Sequence, residues 1–235
     1  MKKQSKPCNI LITAGPTREF LDPVRFISNP STGTIGYLIA AAAAKKKHNV
    51  VLVSGPTHCA PPKRAALVRI VSARDLFREV KKYFSWADCV IGTAAVSDYR
   101  PRRYCRQKIK KSSSEICLNL VKNPDVLKNF GLRKKNKVVV GFALETKSVV
   151  SNARKKLKEK NLDFIVANKL SRAEDPFGGG RHNVFIIDQR KVKPYEGVTK
   201  EVLARIILDR AIDLCYSLQK KEGRRDEKKN RIYAS

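Results

Sequence analysis

Three short polar segments contain the residues whose types and spacing best suit chemistry. Residues 94–101 (AAVSDYRP) close an apolar run that ends at Gly92. Residues 108–111 (KIKK) supply a lysine cluster, and residues 122–125 (KNPD) stand at the expected start of a helix. Because an open parallel sheet binds its ligand outside the carboxyl ends of its strands, the first segment places Asp98 and a basic side chain at such a site. With lysines nearby for several phosphates, this order predicts an enzyme that uses a nucleoside triphosphate.

A fourth segment, rich in small residues, precedes a run of alanines. Residues 28–36 read SNPSTGTIG, and their backbone N–H groups could hold an anion at the N-terminus of the following helix. Alternatively, Ser31 or Thr32 could act as the helix N-cap, which is the simpler structural interpretation. Capping needs only one such residue and does not need Arg25 and Asn29 upstream. The pattern therefore favours a functional role and leaves the capping role open.

The alternation of apolar runs and helical stretches predicts the fold. We expect buried strands at residues 9–15, 50–54, 67–71, 89–92, 138–142, 163–168 and 184–187, and helices at residues 36–47, 73–84, 151–160 and 200–218, with a short helix opening at Pro124. Alternating residues 115–120 predict an exposed or edge strand. This order is typical of an α/β fold, a doubly wound, mostly parallel Rossmann-like sheet with helices on both faces and a small extra β segment. We expect a single domain over residues 1–218 and a charged, disordered tail over residues 219–235.

Composition narrows the class of protein. No apolar run approaches the roughly 18 residues of a membrane span. The basic N-terminus leads directly into a strand without a cleavage signal, so we expect no signal peptide and no membrane partner. The six cysteines are scattered without a C-x-x-C pair, which favours reduced thiols and a cytoplasmic location. The three histidines show no metal-ligand spacing, and we expect them to be structural or surface residues.

Two competing hypotheses come from weaker signals. The net charge of +29 would suit a basic nucleic-acid-binding protein, but the charge is dispersed and aromatic residues make up only 7% of the chain. Specific nucleic-acid binding is therefore not favoured. Tyr104 and Lys108 match the Y-x-x-x-K pair of short-chain dehydrogenases, yet Pro101 disfavours a helix there. The G-x-G-x-x-G fingerprint is also absent after the first strand, so we interpret this match as accidental.

Taken in order, the segments of this chain resemble those of the phosphopantothenate–cysteine ligases. The resemblance covers roughly residues 9–215 and includes ITAGPTRE, DPVRFISN, AAVSDYRP, KIKK, LVKNPD, VGFALET and DFIVAN. It implies a bacterial-type, stand-alone form without the flavin-dependent decarboxylase domain that usually precedes this one. It also implies that 4′-phosphopantothenate and L-cysteine are joined through an acyl-cytidylate, with CTP as co-substrate, Mg²⁺ as cofactor and a homodimer as the assembly.

The resemblance also implies roles for individual residues. Asn29 would bind the acyl intermediate, with Arg25 and Ala95 shaping that half-site. Asp98 would contact the nucleotide, and Lys108 would hold its phosphates. The remaining nucleotide-binding residues would be Gly92, Thr93, Ala94, Pro124, Asp125, Val126, Leu127, Phe142, Lys156 and Lys160. No metal ligands are assigned.

Three departures from the family pattern affect these expectations. Thr32 replaces the usual second serine, and Thr34 replaces a longer, often basic residue. The loop after Phe177 has glycines followed by Arg181 and His182, where relatives have a run similar to Asn-Ser-Asp. This loop puts metal or nucleotide preference in question, and ATP is not excluded as the nucleotide.

Overall fold

An eight-stranded sheet organises the chain. The computed structural model describes residues 6–110, 114–170 and 177–232, with side chains up to residue 221. The strands are β1 Asn9–Ala14, β2 Arg18–Phe20, β3 Phe26–Ser28, β4 Asn49–Ser54, β5 Ala65–Arg69, β6 Cys89–Gly92, β7 Tyr99–Pro101, β8 Leu120–Lys122, β9 Val138–Glu145, β10 Phe164–Lys169, β11 His182–Asp188 and β12 Val192–Val198. The helices are α1 Thr34–Lys45, α2 Ala73–Phe84, α3 Val126–Gly131, α4 Val149–Glu159 and α5 Lys200–Ile232.

The order of the strands places a ligand crevice at the centre of the sheet. The order is β12-β11-β10-β9-β6-β1-β4-β5, parallel from β5 to β10, with β11 and β12 antiparallel at one edge. From β1 the chain continues to β4 on one side, whereas from β6 it continues to β9 on the other. Such a reversal opens a crevice at the carboxyl ends of the strands. The predicted doubly wound, mostly parallel sheet is confirmed.

Helices cover both faces of the sheet, and the alternation of side chains along β1 shows why. Ile10 and Ile12 pack into the core beneath α1 and α5, whereas Leu11 packs into the core beneath α2, α3 and α4. This alternation follows from the two-residue period of a strand. The small side chains of Ala40 and Ala43 are fully buried and allow α1 to lie close to the sheet.

The structure differs from the prediction in several elements. The expected strand at residues 115–120 reduces to β8, and Ile116 and Leu118 are 61% and 46% exposed. Their alternation therefore does not reflect a half-buried face. The strand β12 and the hairpin formed by β2 and β3 were not predicted. The last helix does not end at Leu218 but runs to Ile232, through lysine, arginine and glutamate residues that favour helix.

The hairpin of β2 and β3 is firmly attached to the sheet. The Arg18 N–H donates to the carbonyl of Val71 at 2.8 Å. The buried carboxylate of Glu19 accepts the Ala73 N–H at 2.9 Å, at the start of α2. These contacts fix the base of the hairpin beside the carboxyl ends of the strands, where Asn29 leaves β3.

Candidate active site

One cavity of about 580 Å³ lies at the carboxyl ends of the central strands. Its volume is in the range of small-molecule binding sites. All predicted site residues except Arg25 and Lys108 line it: Asn29, Gly92, Thr93, Ala94, Ala95, Asp98, Pro124, Asp125, Val126, Leu127, Phe142, Lys156 and Lys160. Five separate regions of the sequence thus meet at one cavity, as expected from the strand order.

The segment before α1 forms one side of the cavity. The N-cap of α1 is Gly33, with φ +78°, and no side chain caps the helix. Neither Ser31 nor Thr32 is therefore the N-cap, although the Ser31 hydroxyl accepts the Gly33 N–H at 3.3 Å. A Cβ on Gly36 would lie 2.5 Å from both the Cβ of Ala14 and the Oγ1 of Thr93. Only glycine lets the first turn of α1 approach the ends of the strands this closely, which brings its backbone to the cavity.

The carbonyl of Ala95 joins two walls of the cavity. It accepts the Thr17 N–H at 3.2 Å and the side-chain amide of Asn29 at 3.3 Å. The Ala95 N–H donates to the carbonyl of Gly15 at 2.9 Å. Asn29 is thereby oriented by the loop that follows β6. An amide has two N–H donors, so one remains for a ligand.

Asn123 connects two of the polar segments that the sequence singled out. Its side-chain amide donates to the carbonyl of Ser97 at 2.9 Å, and its backbone N–H donates to the carbonyl of Asp98 at 2.8 Å. Its side-chain oxygen accepts from the Arg100 guanidinium at 3.1 Å. These bonds fix the backbone at Asp98 and leave the Asp98 side chain exposed.

The two predicted lysines of α4 both line the cavity, and each forms an ion pair. Lys156 lies 2.7 Å from Glu145 Oε1, and the ammonium group of Lys160 lies 2.9 Å from Asp125 Oδ2. The other oxygen of Asp125 caps α3 by accepting the Lys128 N–H at 2.9 Å. The sequence placed these lysines on one side of a helix but did not identify their carboxylate partners.

Arg25 and Lys108 lie outside the cavity wall, on adjacent segments. Arg25 is in the turn between β2 and β3, and its Nη1 donates to the carbonyl of Ile109 at 3.1 Å. Lys108 is exposed on the loop between β7 and β8, directly before Ile109. The structure thus brings these two predicted residues near each other. Lys111, the last lysine of the predicted cluster, lies outside the described residues.

Asp22 anchors both of these segments, although it was not among the predicted site residues. Its side chain is fully buried. Burial opposes ionisation, but the N–H groups of Val24, Ile109 and Arg25, followed by the Arg25 guanidinium, outweigh it and lower the pKa of Asp22 to about 2. The carboxylate is therefore ionised near neutral pH.

The far end of the cavity contains polar residues that were not predicted there: Asn168, His182 and Lys200. His182 is 5% exposed and Lys200 is 8% exposed. The Lys200 ammonium donates to the carbonyl of Phe177 at 2.9 Å. The three histidines were expected to be structural or surface residues. The structure places one of them, His182, in the cavity wall. The position of Asn168 near the carboxyl end of β10 is a signal that the sequence analysis overlooked.

The side chains available as metal ligands limit how a metal ion could be bound. Among residues 6–110, 114–170 and 177–232, no group of three or more His, Cys, Asp or Glu side chains is placed to hold an ion. Mg²⁺ commonly binds through one or two carboxylates together with phosphate oxygens and water. The carboxylates of Asp98 and Asp125 in the cavity wall fit an ion that enters with a triphosphate.

A Rossmann-like sheet with a cavity at its topological switch point is typical of the α/β proteins that bind a ligand in this crevice. The family model described as "DNA/pantothenate metabolism flavoprotein C-terminal domain" matches residues 6–214. The chain therefore belongs to this family. No helix in the described part of the chain is both long and apolar enough to cross a membrane.

Curated relatives share much of the sequence. The coenzyme A biosynthesis bifunctional protein CoaBC of Borreliella burgdorferi is 38% identical over 210 residues, which cover 88% of this chain and 53% of that protein. The CoaBC protein of Escherichia coli K12 is 42% identical over 213 residues, which cover 88% of this chain and 52% of that protein. The chain thus spans about half the length of these curated relatives.

A solved structure agrees with both the fold and the sequence. The crystal structure of the C-terminal domain of a CoaBC protein superposes with a TM-score of 0.75 at 37% identity, covering 91% of this chain and 96% of that one.

Proposed function

We propose that this protein joins 4′-phosphopantothenate to L-cysteine through an acyl-cytidylate, releasing pyrophosphate and CMP, in coenzyme A biosynthesis. The main supporting observation is the meeting of Asn29 and Ala95 with Asp98, Lys156 and Lys160 in one cavity wall. The names of the curated relatives support the same pathway, although each is about twice as long as the matched region.

The first step transfers a nucleotidyl group. A carboxylate oxygen of phosphopantothenate attacks the α-phosphorus of CTP, and the bond to pyrophosphate breaks. Two anions must approach each other, so positive charge must offset their repulsion. Lys156 and Lys160 supply that charge from the cavity wall, and Lys108 supplies it from the neighbouring loop. The carboxylates of Glu145 and Asp125 pair with the two cavity lysines before the nucleotide binds.

The second step forms the amide. The amine of cysteine attacks the acyl carbon, CMP leaves with the electrons of the broken C–O bond, and the amine loses a proton. Negative charge develops on the acyl oxygen during this attack. A hydrogen-bond donor directed at that oxygen lowers the barrier. The second N–H of Asn29 suits this role because the contact with Ala95 fixes the amide.

CTP is the nucleotide that we propose, with ATP as the alternative. This choice rests on the resemblance of residues 9–215 to the bacterial ligases, which generally use CTP. When bound with the triphosphate, Mg²⁺ would offset phosphate charge, with Asp98 as its nearest protein carboxylate in this proposal.

A homodimer is also part of the proposal. Large apolar side chains are exposed on the β2–β3 hairpin and on the ribbon of β7 and β8, including Val24 at 58%, Tyr99 at 47% and Leu120 at 44%. A second copy of the chain would cover them. Light scattering on the purified protein would test this by giving twice the chain mass of 26.5 kDa, and a monomer at micromolar concentration would contradict it.

We also propose a cytoplasmic location. All six cysteines lie in the described ranges and are free thiols. Hydrogen bonding to Cys215 and burial raise the pKa of the Cys8 thiol, so this thiol stays protonated. Buried, reduced thiols of this kind suit a reducing compartment.

The dehydrogenase alternative is not favoured. Tyr104 and Lys108 lie on a loop rather than on a helix, so they lack the spacing that a catalytic Y-x-x-x-K pair needs. The turn after β1 reads GPTRE and lacks the dinucleotide fingerprint.

Product release tests the proposed function directly. With CTP, Mg²⁺ and phosphopantothenate, we expect the protein to release pyrophosphate, and to release free CMP only after L-cysteine is added. Omitting phosphopantothenate is the control for nucleotide hydrolysis. Folded protein that releases neither product with CTP or ATP would refute the proposal.

A further inference from the structure

Asp22 makes four hydrogen bonds that divide cleanly between its two oxygens. Oδ1 accepts the N–H groups of Val24 and Arg25 at 2.8 and 2.9 Å. Oδ2 accepts the Arg25 guanidinium at 2.7 Å and the Ile109 N–H at 3.1 Å. The first oxygen therefore shapes the hairpin turn, whereas the second holds a segment 87 residues away in the sequence.

The second oxygen is part of a closed contact between the hairpin and the loop. Arg25 Nη1 donates to Asp22 and also to the carbonyl of Ile109 at 3.1 Å. The Cys105 N–H donates to the carbonyl of Leu21 at 2.8 Å in the same region. The backbone around Lys108 is thus held from both sides against the turn that contains Arg25.

We propose that Asp22 is a positioning residue, whose carboxylate holds Arg25 and the loop containing Lys108 in one arrangement. This inference rests on the proposed function for the role of Lys108 in binding phosphates. The contacts themselves do not depend on that role. A lysine on an exposed loop contributes most to a bound phosphate when its backbone is already held in place, because less ordering remains for the binding step.

Asparagine at this position should separate the two roles of the carboxylate. Its one oxygen can still accept the Val24 and Arg25 N–H groups and preserve the turn. Its NH₂ group would then face the Arg25 guanidinium and the Ile109 N–H, which are both donors. Asp22→Asn therefore removes the bond from the Ile109 N–H to the carboxylate while keeping the local turn.

The chain contains a closely matched control. Asp188 Oδ1 accepts the N–H groups of Arg190 and Lys191, both at 2.7 Å, and its Oδ2 accepts from the Arg210 guanidinium. This is the same pattern as at Asp22, placed in the β11–β12 turn and without a loop comparable to Ile109. Asp188→Asn therefore makes the same chemical change in a turn that does not hold Lys108.

The test compares amide exchange and kinetics in the full chain. In Asp22→Asn we expect the Ile109 amide to exchange about tenfold faster or more, because its acceptor is lost. We expect kcat/KM for pyrophosphate release to fall roughly tenfold to a hundredfold, mainly through a higher KM for the nucleotide. Asp188→Asn should leave the Ile109 exchange rate and kcat/KM within about twofold of the wild-type values, as expected for a change away from the site.

Several outcomes would overturn the proposal. One is an Ile109 amide that exchanges at the same rate in Asp22→Asn as in Asp188→Asn. Another is faster exchange of the Ile109 amide in Asp22→Asn with kcat/KM for pyrophosphate release unchanged. If wild-type protein releases no pyrophosphate, the proposed function fails, whereas Ile109 exchange still shows whether Asp22 holds the loop.

If Asp22→Asn does not fold, Ile109→Pro removes the same hydrogen bond and leaves the carboxylate intact. The carbon-13 titration of Asp22 should then show a higher pKa in Ile109→Pro than in the wild-type protein, because one N–H that lowers it is lost, and an unchanged pKa would contradict the contact.

Discussion

The side-chain amide of Asn29 donates to the carbonyl oxygen of Ala95 at 3.3 Å, although 66 residues separate them in the sequence. The contact joins the segment that leaves the β2–β3 hairpin to the loop that follows β6. Ala95 is itself fixed by its backbone bonds to Gly15 and Thr17. The proposed acyl half-site is therefore assembled from two loops that the sheet places side by side.

We expect Asn29→Ala to separate the two steps. The loss of one donor to a developing oxyanion lowers kcat by about 10²–10³. Pyrophosphate release in the first turnover should stay close to normal, so the acyl-cytidylate accumulates and can be measured by chromatography after acid quenching. Asn49→Ala is a control, because Asn49 bonds to Asn9 at the opposite end of the strands. Amide formation by Asn29→Ala at the wild-type rate would refute the role of Asn29.

Lys108→Ala should impair the first step instead. A cation that holds the phosphates acts before the acyl-cytidylate exists, so pyrophosphate release should fall by roughly tenfold or more. Lys110→Ala changes an exposed lysine two residues further on and should have less effect. Near-normal pyrophosphate release by Lys108→Ala would contradict phosphate binding at this position.

Lys160→Met should weaken nucleotide binding with little change in stability. Its side chain is 25% exposed in the cavity wall, and exposed ion pairs contribute only about 0–1 kcal/mol to folding. We expect the half-saturating nucleotide concentration to rise about tenfold, in line with the loss of about 1.4 kcal/mol from a charge-assisted contact. Lys155→Met is the control on the same helix, since Lys155 is 75% exposed and does not line the cavity. Equal effects of the two changes on the kinetics would rule out a specific role for Lys160.

Gly36→Ala should destabilise the protein even though alanine normally favours a helix over glycine. The added Cβ would lie 2.5 Å from Ala14 and Thr93, and overpacking of this kind costs about 1–3 kcal/mol. Gly179→Ala is the matched change, because no atom lies within 4 Å of its added Cβ. Denaturant unfolding would compare the two, and a Gly36→Ala protein as stable as wild type would show that the first turn of α1 is not tightly packed.

Local sequence patterns predicted the strands and helices whose apolar runs are long and buried, such as β1 and α2. They failed where the structure depends on distant partners. The strands β2 and β3 have three residues each, too few for a periodic pattern. The strand β12 contains Pro194 and Gly197, which usually indicate a turn. Its pairing with β11 overrides that local preference.

The candidate active site shows the same difference between residues predicted from local patterns and residues that depend on distant partners. Residues directly after the strands, such as Asp98, could be predicted as site residues because the carboxyl ends of the strands meet at the crevice. Asp22 does not, because its importance lies in a hydrogen bond to Ile109, and nothing in the sequence near either residue indicates it. The place of His182 in the cavity wall did not follow from the sequence for a similar reason, since it depends on the packing of β11 against the rest of the sheet.

Oxygen transfer gives the most direct test of the central claim, that the carboxylate of phosphopantothenate attacks the α-phosphorus of the nucleotide. Phosphopantothenate labelled with ¹⁸O in its carboxylate would be incubated with the protein, CTP, Mg²⁺ and L-cysteine, and the products analysed by mass spectrometry. We predict that one labelled oxygen appears in CMP for each amide formed. Label in pyrophosphate or inorganic phosphate, with none in CMP, would contradict the account.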